Sequence, residues 1–298
     1  MRDYNPVVAY SKNHWTFSYE LKFRDYGVNV NPNHSGTSEF EYHPFQSAHT
    51  LSAAYQFSDS FTAGLGINIV NSKLYPTGIA VGGNHGAKAS GVSLNMGVIY
   101  HKNLKTDLFE LKPGGGWSLT EFGPTIKYSG SSAREPLPMI MRAGVSLQAT
   151  FNRTFKNRHY FSLGVFENFS KLMLDKNLAK GDRPGPFHTL FNSWGSLPYY
   201  TGSDWIEISQ GDQIRRHTGF ELGVMDFLYL RYGLQRQSGV MTHEHKKFKG
   251  LGLNLPYVNI DYVTYRVNSE DPVYSNYRVY FFQVTGHIKL DELSRLFH

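Results

Sequence analysis

Residues Trp15–Arg24 read WTFSYELKFR, in which Trp15, Phe17, Tyr19, Leu21 and Phe23 alternate one for one with Thr16, Ser18, Glu20, Lys22 and Arg24. A period of two puts the apolar set on one side of a β-strand and the polar set on the other. In a soluble sheet the polar side faces solvent. In a membrane-spanning sheet the aromatic side faces lipid, so the fold turns on which of these applies.

The same alternation recurs along the chain. Leu51, Ala53, Tyr55 and Phe57 are separated by the short turn Ser58-Asp59-Ser60 from Phe61, Ala63, Leu65, Ile67 and Ile69. Val92 to Tyr100 follows, then Met139 to Phe151, where Met139, Met141, Ala143, Val145, Leu147, Ala149 and Phe151 share one side. Further segments lie near 158–169, 214–225, 227–238, 247–255, 257–266 and 275–289, with a weaker one at 116–128. The expectation is about twelve strands, with helical periodicity confined to Phe169–Leu178 and the tail DELSRLFH.

Two features separate β architectures. The clear segments run about ten to fourteen residues, whereas globular strands cluster near five or six. Eleven residues at about 3.3 Å each, tilted by about 40°, rise roughly 27 Å, the thickness of a bilayer core. Connections also alternate between short (58–60, 152–157, Asp226, Pro256) and long (25–46, 73–87, 170–213, 239–246, 267–274), with 102–115 longer than the scheme wants. Short turns at one end and long loops at the other are the habit of outer-membrane barrels. A soluble β-sandwich or lipocalin-like barrel explains the alternation but not strands of this length, and it would be overfilled by the aromatic faces. Trp15, Tyr100, Tyr128, Tyr160 and Tyr265 fall near strand ends, as interfacial aromatic girdles do.

Composition narrows the function classes. The 298 residues include 20 Tyr, 21 Phe, 4 Trp and 29 Gly but no Cys, which removes disulfides, thiol nucleophiles and zinc ribbons. The net charge of +6 is scattered rather than gathered into a basic stripe, against nucleic-acid binding. No apolar run is long enough for a transmembrane helix. MRDYNPVVAYSK lacks the pattern of a signal peptide, so either the chain is not exported or its leader lies outside this numbering.

Chemical motifs are sparse. Gly114-Gly115-Gly116 and Gly82-Gly83 lack the helix and Lys-Ser/Thr of a phosphate loop and read as flexible loop glycines. His243-Glu244-His245 could place two imidazoles on one side of a strand, but no third ligand is identifiable, and a solvated loop is the expectation. His49, Ser52, Asn95 and Ser146 are expected on polar strand faces, but a period-two strand offers polar residues everywhere, so they do not single out a triad. Neither a catalytic constellation, a cofactor site nor a metal site is expected. The segment 170–213 stands out: Phe187, Phe191, Trp194, Tyr199, Tyr200 and Trp205 are set among Gly and Pro in a connection too long to be ordinary and too aromatic to be disordered. They are the candidate partner-binding residues, on a loop that either lids the mouth or presents a protein-binding surface.

The ordered segments resemble the PorV/PorQ proteins of the bacterial type IX secretion system, themselves similar to FadL-type fatty acid transporters. The resemblance rests on YNPVVAYSKNHWTFSYELKF (with Val7 where alanine is usual), HTLSAAYQFSDSFTAGLGINIVNSKLY, VSLNMGVIY, FGPTIKYSGSSAREPLPMIMRAGVSL, HYFSLGVFENFSKLML and TGFELGVMDFLYLRYGLQRQSG. The family's upstream Gly-rich region has no counterpart. The resemblance implies a single domain over 1–298: an all-β, transmembrane antiparallel β-barrel of about 12–14 strands in the bacterial outer membrane, with 170–213 as a long extracellular loop. It further implies a non-enzymatic component that binds cargo C-terminal signal domains and shuttles them from the translocon to the surface-attachment complex. Its partners would be outer-membrane lipid, secretion-channel and attachment-complex proteins and cargo C-terminal domains. The alternative is a FadL-like transporter of hydrophobic small molecules.

Overall fold

A computed structural model describes residues 2–31, 40–73, 88–129, 134–156, 158–175, 185–200, 204–237, 245–268 and 278–286. Its principal strands are β1 (Val7–Lys12), β2 (Trp15–Asp25), β3 (Phe45–Ser58), β4 (Phe61–Lys73), β5 (Lys88–His101), β6 (Phe109–Phe122), β7 (Ile140–Phe151) and β8 (Phe161–Leu172). They continue as β9 (Ile214–Val224), β10 (Leu228–Gln237), β11 (His245–Asn254), β12 (Val258–Asn268) and β13 (Arg278–Gly286). Among the described residues of the long segment after β8 there is one α-helix, α1 (Pro186–Asn192). No helix among the described residues is long and apolar enough to cross a membrane.

The chain forms two compact units: Met1–Ile99, Trp117–Arg142 and Leu172–Glu207 make one, and Tyr100–Gly116, Ala143–Lys171 and Ile208–His298 the other. In the first, the sheet order is β1, β2, β3, β4, β5, β6, β7; in the second it is β6, β7, β8, β9, β10, β11, β12, β13. β1 with β2, β2 with β3, β3 with β4, and β8 to β13 in turn all pair antiparallel, each strand with its neighbour in chain order.

Adjacent rows across this sheet reveal which face is which. Tyr19, Leu51 and Ile67 stand opposite one another on β2, β3 and β4, and all three are exposed. One residue along, Glu20, Thr50 and Asn68 form the next row, and there Thr50 and Asn68 are buried, with Thr50 Oγ1 donating to Asn68 Oδ1 at 3.1 Å. The apolar side of WTFSYELKFR is therefore the outward one. The polar face is hydrogen-bonded and inside, except at its far end, where Lys22 and Arg24 are exposed and Asp3 holds the Arg24 guanidinium through two bonds of 2.8 and 3.1 Å.

The second unit repeats the arrangement. Leu163, Leu222, Leu230, Leu251, Tyr262 and Phe282 line up across six strands as an unbroken apolar row. The neighbouring row on the other face carries Glu221 opposite Arg231, joined at 2.6 Å, and Arg231 also reaches Asp261 on β12. An ion network placed inside while leucines face outward is the reverse of a soluble sandwich. It gives each of these partly exposed charges an opposite partner.

Several expectations change. The Gly114-Gly115-Gly116 run lies inside β6, not in a loop: a Cβ on Gly114 would sit 2.9 Å from Ser146 Oγ on β7. With β6 beginning at Phe109, the connection after β5 shortens to 102–108 and the loop alternation is restored. The strands outrun their alternating cores; β3, for example, starts at Phe45, since Ser47 and His49 interrupt the apolar set without breaking the ladder. Phe169 to Leu172 continue β8 as strand, and the helix lies instead at Pro186–Asn192, where a proline at the first helical position and Gly185 before it set the start. Residues 287–298, including all of DELSRLFH, fall outside the described residues, as do Gly82-Gly83 and His243-Glu244.

Among the five proposed girdle residues, Trp15, Tyr100 and Tyr160 are exposed at strand ends. Tyr128 instead donates to Ser72 Oγ at 3.1 Å, and Tyr265 stacks on Phe281 at 5.8 Å on the face opposite Tyr262. In the first unit, the turn between β3 and β4 is flanked by exposed Phe57 and Phe61, 5.7 Å apart. In the second, Phe155, Tyr160, Phe227 and Tyr257 sit at the short turns. Such aromatic rings at strand ends, with the amphipathic Trp15, Tyr100, Tyr160 and Tyr257 among them, match a membrane–water interface.

Candidate functional site

The most elaborated part of the molecule is where the segment after β8 folds back over the ends of β6 and β7. Leu119, Met139 and Met173 are almost completely buried there, with Met96, Trp117, Phe122, Met141 and Leu190 of α1 packed around them. Four of the chain's seven methionines meet in this cluster. Methionine is unbranched, flexible and polarizable, so the cluster can reshape around apolar guests more easily than a leucine core.

A backbone irregularity builds the site. Glu121 adopts φ of 58°, a left-handed conformation that a non-glycine residue takes at a cost. The break in alternation lets Phe122 join the same cluster as Leu119, three residues back, although strict alternation would put them on opposite faces. Phe122 then receives Phe187 of α1 edge-on, ring centroids 4.9 Å apart.

On the polar side, the Glu121 carboxylate accepts from Asn68 Nδ2 at 2.5 Å and from Ser93 Oγ at 2.6 Å, and its N–H donates to Asn95 Oδ1 at 2.9 Å. Asn68 and Ser93 are each only 1% exposed. One acidic side chain thus ties β4, β5 and β6 together beneath the cluster. Gly123 follows because a Cβ there would lie 2.7 Å from the Val92 carbonyl oxygen and 2.9 Å from Ser93 Cβ. Gly123→Ala is expected to cost about 1–3 kcal/mol, since the obstruction is backbone and cannot swing aside; a denaturant midpoint within error of wild type would contradict this.

Polar anchors hold α1 down. The wholly buried Asp175 carboxylate bonds His188 Nδ1 at 2.8 Å. Ser193 is buried at the helix end and donates to the Leu190 carbonyl at 3.2 Å, with Met173 Sδ 3.6 Å away. The helix thereby turns Leu190 and Thr189 inward and leaves Phe187 and Phe191 68% and 73% exposed.

The six aromatic residues singled out from sequence are distributed as follows. Phe187 and Phe191 are on α1, one turn apart and exposed. Trp194 follows the helix, exposed, and Trp205 opens the strand Trp205–Ile208, also exposed. Tyr199 is half-buried in the paired strand Leu197–Tyr200, and Tyr200 belongs to the same strand. Sequence reading missed Leu119, Met139, Met173, Glu121 and Asp175; the concentration of methionine near Pro138 was the one visible hint.

His49, Ser52, Asn95 and Ser146 are not assembled into a triad. His49 lies on the outward face, where Tyr19 Oη and His49 Nδ1 are 2.8 Å apart, while Asn95 is committed to Glu121. No group of three or more His, Cys, Asp or Glu residues suited to a metal occurs among the described residues. A cavity of about 890 Å³ opens beside the ends of β4 and β5, lined by Lys73, Lys88 and Lys127, hydroxyls including Ser72 and Tyr128, and the apolar Phe45 and Ala89.

An antiparallel sheet with leucine and aromatic rows outward, hydrogen-bonded polar rows inward and aromatic residues at its short turns has the fold class of a transmembrane β-barrel of the bacterial outer membrane. The solved structures to which the chain shows a distant likeness include the following. The toluene transporter TodX of Pseudomonas putida is 12% identical, with 94% of this chain and 81% of that chain covered and a TM-score of 0.40. The toluene transporter TbuX of Ralstonia pickettii is 12% identical, with 93% and 77% covered and a TM-score of 0.39. A FadL homologue of Pseudomonas aeruginosa is 13% identical, with 93% and 75% covered and a TM-score of 0.38. No protein-family model and no curated relative matches the sequence. Likeness this distant does not carry a substrate or a partner to this chain.

Proposed function

We propose that the protein is an outer-membrane transporter of apolar small molecules, of FadL type, which captures its substrate in the methionine-rich cluster beneath α1. The observation that supports this reading is the gathering of Met96, Met139, Met141 and Met173 with Leu119 and Phe122 under one helix of seven residues. A roof of seven residues can lift without unfolding the sheet, and the surface it would uncover is apolar and adaptable. The test is binding of the apolar fluorescent probe N-phenyl-1-naphthylamine to the protein in lipid nanodiscs. Met139→Gln with Met173→Gln should weaken the probe about tenfold, because each adds an amide that an apolar guest cannot satisfy. Unchanged affinity in a folded double variant would remove the reading.

A second reading, the cargo shuttle of type IX secretion, is favoured by a separate observation: Phe187 and Phe191 at i and i+4 on α1, and Trp194 and Trp205 later in the same segment, are all exposed. Clustered aromatics of this kind are typical protein-binding anchors. Purified protein should then retain cargo C-terminal signal domains, and Phe191→Ala with Trp205→Ala should release them; no retention by the wild type would exclude this role.

A further inference from the structure

We propose that the cavity of about 890 Å³ at the long-loop ends of β4 and β5 is a binding site for a phosphorylated sugar. Its lining includes Lys73, Lys88 and Lys127 and, among the described residues, no acid. Lys88 and Lys127 are exposed and Lys73 is half-buried, and none of the three is ion-paired among the described residues. Between Glu41 and Asp107 the sequence holds one acid, Asp59, in the turn at the other end of β3 and β4. Asp25 stands one strand beyond Phe45 in the row that ends on Lys73, and its carboxylate accepts the Gly27 N–H at 2.7 Å. A cleft lined by charge of one sign draws in the opposite ion.

The framework, not a loop, carries this lining. Ser129 N–H donates to the Lys88 carbonyl at 2.8 Å, and its hydroxyl accepts from the Lys88 N–H at 3.2 Å, which fixes the segment of Lys127 and Tyr128 beside β5. A buried hydroxyl also points to an oxygen-rich ligand. Tyr26 Oη donates to Gln46 Oε1 at 2.8 Å, Gln46 Nε2 donates to Ser72 Oγ at 3.3 Å, and Tyr128 Oη donates to Ser72 Oγ at 3.1 Å. Ser72 thus accepts twice, and its own proton has no acceptor among the described residues, although the side chain is only 4% exposed and lines the cavity. A phosphate oxygen would take that proton.

The accompanying groups narrow the anion. Lysine meets phosphate as a point charge with three donors, whereas a carboxylate is matched best by the arginine fork, which the described lining lacks. The volume exceeds what one phosphate fills and lies in the range of small-molecule sites. Ser47, Ser90 and Asn71 can each donate and accept, as sugar hydroxyls require. Phe45, half-buried and stacked on Phe23 at 5.6 Å, offers a flat apolar face to the C–H side of a sugar ring. β4 runs 13 residues from the short turn to Lys73. At about 3.3 Å per residue and a tilt of about 40° it rises about 30 Å, past the roughly 25 Å apolar band of an outer-membrane barrel. The site therefore opens to water above the membrane, within reach of a free sugar phosphate and of the phosphorylated glucosamine headgroup of lipid A. The inference does not depend on the methionine cluster or on what that cluster binds.

The test is isothermal titration calorimetry of the whole protein in detergent with glucose 1-phosphate as probe, repeated with glucose and with inorganic phosphate. Wild type should bind glucose 1-phosphate at least about tenfold more tightly than either, and Lys73→Gln with Lys127→Gln should weaken it at least about tenfold. Lys102→Gln with Lys105→Gln, near the short-turn end, should match wild type. Heat-modifiable migration in gels confirms that each variant is folded. Native mass spectrometry with bisphosphorylated lipid A in mixed micelles then assigns the source: retention that glucose 1-phosphate displaces marks a lipid headgroup, and no such retention marks a soluble sugar phosphate. Four results would overturn the proposal: no binding of glucose 1-phosphate, equal binding of glucose, equal binding of inorganic phosphate, which would mark a simple anion site, or affinity unmoved by the double lysine variant.

Discussion

Replacing Leu65 with arginine should cost about 2–4 kcal/mol of folding stability in lipid, the penalty for a cation near the bilayer midplane. Leu65 is 67% exposed, on β4 in the outward set with Ile67 and Ile69. At so open a position on a soluble sheet the same change would fall within about 0.5 kcal/mol. The experiment therefore separates lipid from water as the neighbour of this face. Glu20→Gln, on the polar row of β2, is the control and should be nearly neutral. The readout is the folded fraction in urea titrations of protein refolded into vesicles; equal midpoints for the two variants would overturn the assignment of faces.

The second large effect is expected at Glu121. Glu121→Ala leaves the Asn68 amide and the Ser93 hydroxyl without the acceptor that now takes both, at about 1–3 kcal/mol for each stranded donor. The backbone strain at φ 58° remains in the alanine variant. Glu121→Gly strands the same two donors but relaxes that strain, and should be about 1 kcal/mol less destabilised than alanine. Glu121→Gln keeps one acceptor oxygen and should be the mildest of the three. Guanidinium unfolding followed by Trp117 emission gives the ranking; a glycine variant weaker than alanine would show that the left-handed backbone is not strained. Loss of the bulge should also loosen Phe122 from Phe187, coupling this polar network to the roof of the apolar cluster.

Much of the architecture can be read in single residues. The strand at Trp15–Asp25 is legible because five apolar residues alternate without a gap, and the sheet repeats that rule from Phe61 to Ile69 and from Ile140 to Phe151. Legibility fails where side chains are small or the backbone departs from regularity. Gly114-Gly115-Gly116 carries no periodicity, yet it is strand, since close approach to β7 favours the absence of a Cβ at Gly114. The seven residues of α1 are too few to show a helical period, and their helix depends on tertiary anchors such as Asp175 to His188.

By itself, the sequence determined the all-β class, the long strands and the choice of the aromatic side of Trp15–Arg24 as the outward one, because these follow from a local period of two and from strand length against bilayer thickness. It also marked the segment from 170 to 213 by its aromatic content. Only the tertiary structure decided what that segment covers, since the cluster joins Leu119, Met139 and Met173 from separate strands and depends on a left-handed residue that no pattern announces. It alone gathered Lys73, Lys88 and Lys127 around one cavity, because cross-strand register comes from turn geometry and pairing, which one strand's sequence does not contain.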